Sequence, residues 1–205
     1  MMPSRITLVM MGAAALATVG SARAATVFSD NFNGENGGVG QLNYANFANW
    51  NVTSGSVDLI GNGFFDFLPG NGLYVDMDGS TGQAGTIVSK QVFAPGNYTL
   101  SFDLAGSERG IDGVETVQFG SLDQIIDLPS SVGFTLETFN VTISDPGGDA
   151  ISFMSDVSGN VGGLLDNVLL TTGVTSPPPG VPEPSSLALI GVALLGLGFA
   201  RRLER

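Results

Sequence analysis

The 205 residues carry seven basic side chains against nineteen acidic ones, and they contain neither cysteine nor histidine. The missing residue types exclude disulfides, histidine-dependent catalytic triads, cysteine nucleophiles and the usual zinc ligand sets. Five of the basic residues lie near the two ends of the chain, so the body between them is strongly acidic and unsuited to nucleic acid, whose phosphates require lysine and arginine.

The first twenty-four residues have the pattern of an export signal. Arg5 precedes an apolar run over residues 6–19, and Ala22-Arg23-Ala24 is a small-x-small cleavage site. The sequence therefore predicts a signal peptide over residues 1–24, with cleavage after Ala24.

The body, residues 25–173, consists of short apolar runs separated by clusters of Gly, Asn, Asp and Ser. In the clearest run, 98–104, apolar and polar residues alternate, as in a strand with one face in the core and one in solvent. The other predicted strands are an opening strand, a second that begins at Trp50, and the runs 57–60, 72–78, 87–93, 115–119, 124–128, 134–143, 150–154 and 165–172. No window of the body has convincing helical periodicity.

This pattern predicts an antiparallel β-sandwich of about eight or nine strands, most like a jelly roll. A β-solenoid is the alternative for a chain so rich in Gly, Asn and Asp, although no repeat of fixed period is present. Within the run 134–143, Phe134 and Leu136 differ in parity from the apolar residues that follow Thr138. Both groups face inward only if a bulge lies near Thr138.

Beyond the body, residues 174–184 read VTSPPPGVPEP and form a proline-rich linker. Residues 185–205 are an apolar run closed by Arg201, Arg202 and Arg205. An apolar run followed by arginines is a stop-transfer pattern, with the arginines on the cytoplasmic side. The segment predicts a C-terminal hydrophobic helix. At ~1.5 Å per residue its uncharged part reaches roughly 24 Å, a little less than the ~30 Å hydrocarbon core.

The motif Val181-Pro182-Glu183-Pro184, the short apolar helix and the terminal arginine cluster together resemble the PEP-CTERM sorting signal of Gram-negative bacteria. Tails of that family are removed by an exosortase, a membrane cysteine protease, in bacteria that make extracellular polysaccharide. The resemblance implies an intermediate in the inner membrane, processing by an exosortase, and delivery to the cell surface or extracellular matrix. It implies nothing about the body.

The body resembles jelly-roll carbohydrate-binding modules of the galactose-binding-like type in its length, its opening and its Leu-Asp-Asn-Val ending. In such modules the first and last strands are neighbours, and a structural calcium often lies beside them. The resemblance implies a Ca²⁺ site formed by Asp30, Asn33, Glu35 and Asp166, which offer carboxylate and amide oxygens. The alternative is that Asp30 and Asp166 only cap turns. The run Asp76-Met77-Asp78-Gly79 fails the EF-hand spacing and is interpreted as a strand end and turn.

Candidate ligand-binding residues lie in two predicted loops. Phe64, Phe65 and Phe67 occupy one loop, where three aromatic side chains cannot all point inward, and exposed rings are suited to stacking on sugars. Arg109 lies in the Gly-flanked loop SERGIDG, where it could hydrogen-bond a sugar or an acid.

For Arg109, a local ion pair with Glu108 or Asp112 is the favoured alternative to a ligand-binding role.

The sequence thus predicts an exported, non-catalytic surface or matrix protein, with extracellular polysaccharide as its candidate ligand. Two other functions stay open. One is a carboxylate-dependent glycan hydrolase, although no pair among the seventeen acidic residues of the body can be selected from sequence. The other is a purely structural matrix protein. We expect most of the acidic residues to be solvated surface charges.

Overall fold

The computed structural model describes residues 24–157 and 159–172. The predicted signal peptide up to residue 23, the proline-rich linker, the sorting motif and the C-terminal helix lie outside the described residues. Inside them, helical structure is limited to one 3-10 turn, Glu35–Gly38. No helix of the described residues is long and apolar enough to cross a membrane.

Eleven strands lie in the described part of the chain. They are β1 Thr26–Asp30, β2 Trp50–Ser54, β3 Asp58–Gly61, β4 Leu73–Asp76, β5 Thr86–Ser89, β6 Gly96–Ala105, β7 Gly113–Phe119, β8 Leu122–Leu128, β9 Thr135–Ile143, β10 Ser152–Ser155 and β11 Leu164–Thr172. Each run identified in the sequence overlaps one of them, and β2 begins at Trp50 as expected. The predicted total of eight or nine strands is too low.

The strands form two antiparallel sheets. The first has the order β3-β4-β11-β6-β9, with β1 pairing on β11, and the second has the order β2-β5-β10-β7-β8. One edge of β11 therefore pairs with β6, while its other edge pairs first with β4 and then with β1. The predicted class, an antiparallel jelly-roll sandwich, is confirmed.

The main core lies between the sheets and is rich in aromatic rings. Trp50 has its ring 5.4 Å from that of Phe28 and 5.7 Å from that of Phe153, in edge-to-face contacts that rings prefer. In β6 the alternation predicted from sequence is confirmed, since Leu100, Phe102 and Leu104 are fully buried and the residues between them are half-buried.

Strand β9 pairs with β6 in one continuous register, so the bulge predicted near Thr138 is wrong. Val141 and Ile143 face the main core, whereas Phe134 packs beside Tyr74, 5.5 Å between ring centroids, in a second cluster of buried residues. Leu136 is 68 % exposed. The change of parity needs no bulge, because the two apolar groups do not share one buried face.

A bulge does occur in β11, whose pairing with β6 shifts between Asp166 and Leu169. Asn167 has a φ of 50° there, a left-handed conformation that asparagine tolerates better than most residues. The shift allows Leu165 on one side of it and Val168 on the other to reach the same core. Asp-Asn in the closing strand is thus a structural feature of the sheet.

The second cluster is covered by the β3–β4 loop, residues 62–72. The Tyr74 hydroxyl donates to Asp66 Oδ1 over 3.1 Å and accepts the Leu68 amide over 2.9 Å, which holds the loop against β4. Phe64, Phe67, Leu68 and Phe134 pack there against Ile60, Tyr74, Ala105 and Leu164. All four residues of β3 and all four of β4 are consequently buried.

Candidate functional site

Phe65 is the aromatic residue that the β3–β4 loop presents to solvent. Its side chain is 54 % exposed, and its φ of 45° is strained for a bulky residue. Phe64 packs against it edge-on, with ring centroids 4.9 Å apart, and Phe64 is itself anchored in the second cluster. The three aromatic residues do not all point inward, in agreement with the prediction for this loop.

Arg109, from the β6–β7 loop, lies over this aromatic group. Its guanidinium carbon is 4.6 Å from the centre of the Phe67 ring, a cation–π contact. Nη1 donates to the Asn160 carbonyl over 2.6 Å, and Nη2 forms a salt bridge with Asp76. The expected local pair with Glu108 or Asp112 is therefore wrong. The partner comes from β4, which is distant in sequence but adjacent in the fold.

Asp76 is a buried carboxylate, only 2 % exposed, and both of its oxygens accept hydrogen bonds. Oδ1 accepts the amides of Asp78 and Gly162, and Oδ2 accepts Arg109. Burial raises the pKa of Asp76 to about 7, although the Arg109 charge opposes this shift. The ion pair between Asp76 and Arg109 is therefore largely removed from water. Removal of Arg109 would leave the Asp76 charge buried without a counter-charge.

Asp58 and Ser80 complete the polar part of the site. Asp58 Oδ1 accepts the Asn43 amide over 2.6 Å and the Ser80 amide over 3.1 Å, and Oδ2 accepts the Ser80 hydroxyl over 2.7 Å. These bonds fix the β4–β5 turn against β3. The carboxylate is buried but retains acceptor capacity, because each of its oxygens has two lone pairs.

A small cavity of about 80 Å³ lies among these groups. It is lined by Leu42, Asp58, Ile60, Phe65, Phe67, Asp76, Ser80, Arg109 and Asn160. At roughly 30 Å³ per water, it has room for a polar substituent such as a hydroxymethyl group, while a sugar ring would remain outside it on the aromatic surface. Phe65, Phe67 and Arg109, three of the four predicted ligand-binding residues, thus line one site, and Phe64 supports it from below.

A larger open cleft, about 560 Å³, lies beside residues 25–50, which we call the opening segment. This is the region of the predicted calcium site. It is lined by Ser29, Asp30, Asn31, Gly34, Glu35, Ala48, Asn49, Asn167, Val168 and Leu169. Asp30 and Glu35 reach this cleft, whereas Asn33 and Asp166 are not among its lining residues.

Each of the four predicted calcium ligands already accepts at least one hydrogen bond from the protein. Asp30 accepts Trp50 Nε1 over 2.9 Å, and Glu35 accepts the Ala48 amide over 2.8 Å. Asn33 accepts an amide of β4, and Asp166 accepts the amide of its own neighbour. Nor does any group of three acidic side chains among the described residues have the placement of a metal site. The four residues do not form one ligand shell, and calcium at the opening segment stays a prediction.

The expectation that most acidic residues are solvated holds for eleven of the seventeen in the body, but six are buried: Glu35, Asp58, Asp76, Asp78, Glu115 and Asp166. Within the described residues, Asp78 and Glu115 have no hydrogen-bond partner for any of their side-chain oxygens. The sequence predicts a strand end and turn for Asp78, and it does not single out Glu115. The available signal was the position of Glu115, which shares the parity of Val117 and Phe119 in β7.

A family model of the PEP-CTERM protein-sorting motif matches residues 180–202. The match contains the predicted motif Val181 to Pro184 and the first two terminal arginines, so the predicted sorting tail is confirmed. This tail indicates a secreted, exosortase-sorted protein of the cell surface.

The fold has solved relatives of low sequence identity. The K3 cleaved adhesin domain of Lys-gingipain from Porphyromonas gingivalis is 16 % identical, with a TM-score of 0.50 over 74 % of this chain and all of that one. The CBM22-1 xylan-binding domain of Xyn10C from Paenibacillus barcinonensis is 10 % identical, with a TM-score of 0.50 over 77 % of this chain and all of that one. These similarities show the fold. No curated protein matches the chain in sequence.

Proposed function

We propose that this protein is a non-catalytic component of the cell surface or extracellular matrix, and that it binds extracellular polysaccharide through Phe65, Phe67 and Arg109. One observation carries the proposal: Phe65 is kept exposed in a strained conformation beside a cavity where Arg109 and buried carboxylates meet. A strained, exposed ring beside convergent polar groups is typical of a binding site.

The two parts of the site suit the two kinds of surface on a sugar. The apolar face of a pyranose ring would stack on Phe65, with Phe64 behind it. Hydroxyl groups would enter the cavity, where Asp58 and Asp76 offer acceptor lone pairs and Ser80 a hydroxyl. Because Phe67 and Asp76 hold the Arg109 guanidinium in place, little side-chain entropy is lost on binding.

The net charge of the body indicates which class of polysaccharide it can bind. The body carries seventeen acidic residues against Lys90 and Arg109, so an anionic polymer would be repelled unless cations screened it. A neutral polymer fits this balance best. The similarity in fold to a xylan-binding domain supports the same class.

A catalytic role is less well supported by the arrangement of carboxylates. The oxygens of Asp58 and Asp76 are held by several internal donors, and Asp78 and Glu115 are out of reach of a polymer because they are fully buried. A glycosidase needs two carboxyl groups that flank the scissile bond. Release of reducing sugar from the polysaccharide of the producing bacterium would overturn the non-catalytic proposal.

Co-sedimentation of the purified full chain with insoluble xylan, and with the extracellular polysaccharide of the producing bacterium, tests binding. We expect Phe65→Ala and Phe67→Ala to lower retention at least tenfold. Ile125→Ala is the matched control, since Ile125 is 62 % exposed on β8, in the other sheet. Retention that survives both Phe substitutions, or that falls equally in the control, rejects this site.

We also propose that the chain passes through an inner-membrane intermediate before an exosortase removes its tail. Intact mass and cell fractionation in hosts with and without the exosortase test this step. An extracellular form that begins near Ala25 and lacks the residues after the motif Val181 to Pro184 is expected only in the host that has the enzyme. A full tail retained in the membranes of both hosts would make the protein an anchored surface domain instead.

A further inference from the structure

Glu115 occupies a position that belongs to the core. In β7 it continues the inward-facing row of Val117 and Phe119, and it is completely buried. A carboxylate at such a position costs free energy unless it is hydrogen-bonded or neutralised, and neither of its oxygens has a partner among the described residues.

Ser155 stands directly opposite Glu115 in the β7–β10 ladder, so the two side chains share one face of the sheet. Burial raises the pKa of Asp78, and the nearby Ser155 hydroxyl opposes this shift without reaching hydrogen-bond geometry. Asp78, just beyond β4, is completely buried, and neither of its oxygens has a partner in the described part of the chain. Three elements thus bring two carboxylates and one hydroxyl to one end of the interior.

The backbone of Gly162 and Gly163 packs directly against both carboxyl groups. A Cβ on Gly162 would lie 3.0 Å from Asp78 Cγ, and one on Gly163 would lie 2.7 Å from Glu115 Oε1. Any side chain at either glycine would therefore collide with the pair.

The surrounding charges compensate this pair only in part, because the Arg109 charge lowers the pKa of Asp78 against the larger effect of burial but forms no ion pair with either carboxylate. Arg109, the cation of this region, is bound to Asp76, while Asp76 and Asp156 add negative potential at Glu115. Burial, and after it the charge of Asp78, raises the pKa of Glu115 well above its usual range. Two buried carboxylates close enough to repel each other require either protons or a bound cation.

We propose that Asp78 and Glu115 together bind one divalent cation of the Ca²⁺ type. None of the four oxygens of the two carboxylates has a donor in hydrogen-bond geometry within the described residues, although the Gly163 amide lies close to Glu115 and the Ser155 hydroxyl close to Asp78. The Ser155 hydroxyl offers a fifth oxygen. Calcium takes six to eight hard oxygen ligands and accepts bidentate carboxylates, with water or backbone carbonyls completing the shell. Two negative charges balance one divalent ion, so no third acidic side chain is needed, in agreement with the absence of a three-carboxylate group from the described residues.

This site differs from the calcium site predicted at Asp30, Asn33, Glu35 and Asp166, and it does not rest on the polysaccharide-binding proposal. The cation would tie the end of β4 and strand β7 to the β10–β11 loop. The ion therefore stabilises the interior of the sandwich, whether or not the protein binds a glycan.

Calcium stoichiometry and thermal stability of the full chain, purified in detergent, test the proposal. Native mass spectrometry is run on the wild type, Glu115→Gln and Asp78→Asn, with Asp127→Asn as the matched control because Asp127 is an exposed carboxylate on β8. We expect each of the two site variants to lose one calcium equivalent that the wild type and the control retain. Chelation with EDTA should lower the Tm of the wild type and the control by roughly 5 °C or more and leave the site variants unchanged.

Asp30→Asn separates the two sites, since it should leave the equivalent bound at Asp78 and Glu115 in place. If Glu115→Gln fails to fold, Asp78→Asn and chelation of the wild type still decide the question. Equal calcium content in the wild type and both site variants, or a wild type without calcium, overturns the proposal. So does a Tm that is insensitive to EDTA but falls as pH rises from 5 to 8. Protons held in the folded state in place of the metal would give that result, to which Asp76 and Asp166, each with a pKa raised to about 7, also contribute.

Discussion

The opening segment and the Asp78–Glu115 pair are both acidic, yet their carboxylates differ in how many hydrogen bonds they accept. At the opening segment, Asp30 and Glu35 accept hydrogen bonds from backbone amides, an indole and a tyrosine hydroxyl. Within the described residues, the oxygens of Asp78 and Glu115 accept none. The first region has the motif that resembles a calcium site, and the second has the unsatisfied oxygens that a cation would require. The proposed cation site is thus distinguished by missing hydrogen-bond partners and not by the number of its acidic residues.

The largest effect that sharpens this comparison is expected at Asp76, a buried carboxylate satisfied by a cation. Arg109→Met removes that cation and leaves the carboxylate uncompensated, so we expect the free energy of unfolding to fall by about 3–5 kcal/mol. Urea denaturation measures it. Arg109→Lys retains the charge and should lose less. A loss below about 1 kcal/mol for the Met variant would show that the pair contributes little.

A smaller loss is expected at the opening segment. Glu35→Ala leaves the Ala48 amide and the Tyr44 hydroxyl without their acceptor, which should cost about 3 kcal/mol, equally with calcium and with EDTA. Glu35→Gln is the control, because it keeps one carbonyl oxygen. If the loss appears only in the presence of calcium, Glu35 is a metal ligand after all, and the contrast between the two regions disappears.

The stability contributed by the Asp78–Glu115 pair, unlike that contributed by Glu35, should depend on calcium. At a free calcium concentration about thirty times the Kd, bound metal stabilises the wild type by about 2 kcal/mol, and EDTA removes this contribution. Asp78→Asn should be less stable than the wild type in calcium and at least as stable in EDTA, where it relieves the burial of a second charge. If the difference in stability between the wild type and Asp78→Asn is the same in calcium and in EDTA, the two regions do not differ in the proposed way.

The smallest change in stability is expected at Phe65, which is exposed for binding. Phe65→Ala should alter the free energy of unfolding by no more than about 0.5 kcal/mol, since half of the ring is in solvent. Its loss of polysaccharide retention would then be a loss of contact with the ligand. Destabilisation by more than about 2 kcal/mol would instead make Phe65 a packing residue, like Phe64.

Local patterns predicted much of the architecture. Alternation in β6 and the turn residues between runs located the strands, because the period of a strand is written in neighbouring residues. The same reasoning failed in β9, where it assumed that every apolar residue faces one core. Phe134 packs instead beside Tyr74, in a cluster that exists only because the β3–β4 loop folds over the outside of β4.

The candidate sites divide in the same way. The aromatic loop could be predicted, because three phenylalanines within four positions cannot all be buried by one short loop. The partner of Arg109 could not, since Asp76 is 33 residues away and becomes adjacent only through sheet pairing. Glu115 gave a faint signal through its parity with Val117, but nothing local indicated that Asp78 would lie beside it.

The sequence by itself determined the sorting tail and the positions of the strands, and it predicts the export signal, because each of these features is encoded in contiguous residues. Only the tertiary structure decided which carboxylates are buried, which of them meet donors and which face each other. Strands that are far apart in the chain become neighbours in the sheets, and the free energy of a buried charge depends on those neighbours. Eleven of the seventeen acidic residues of the body therefore remain at least partly in solvent, whereas six are buried, and two of those six lack hydrogen-bond partners within the described residues.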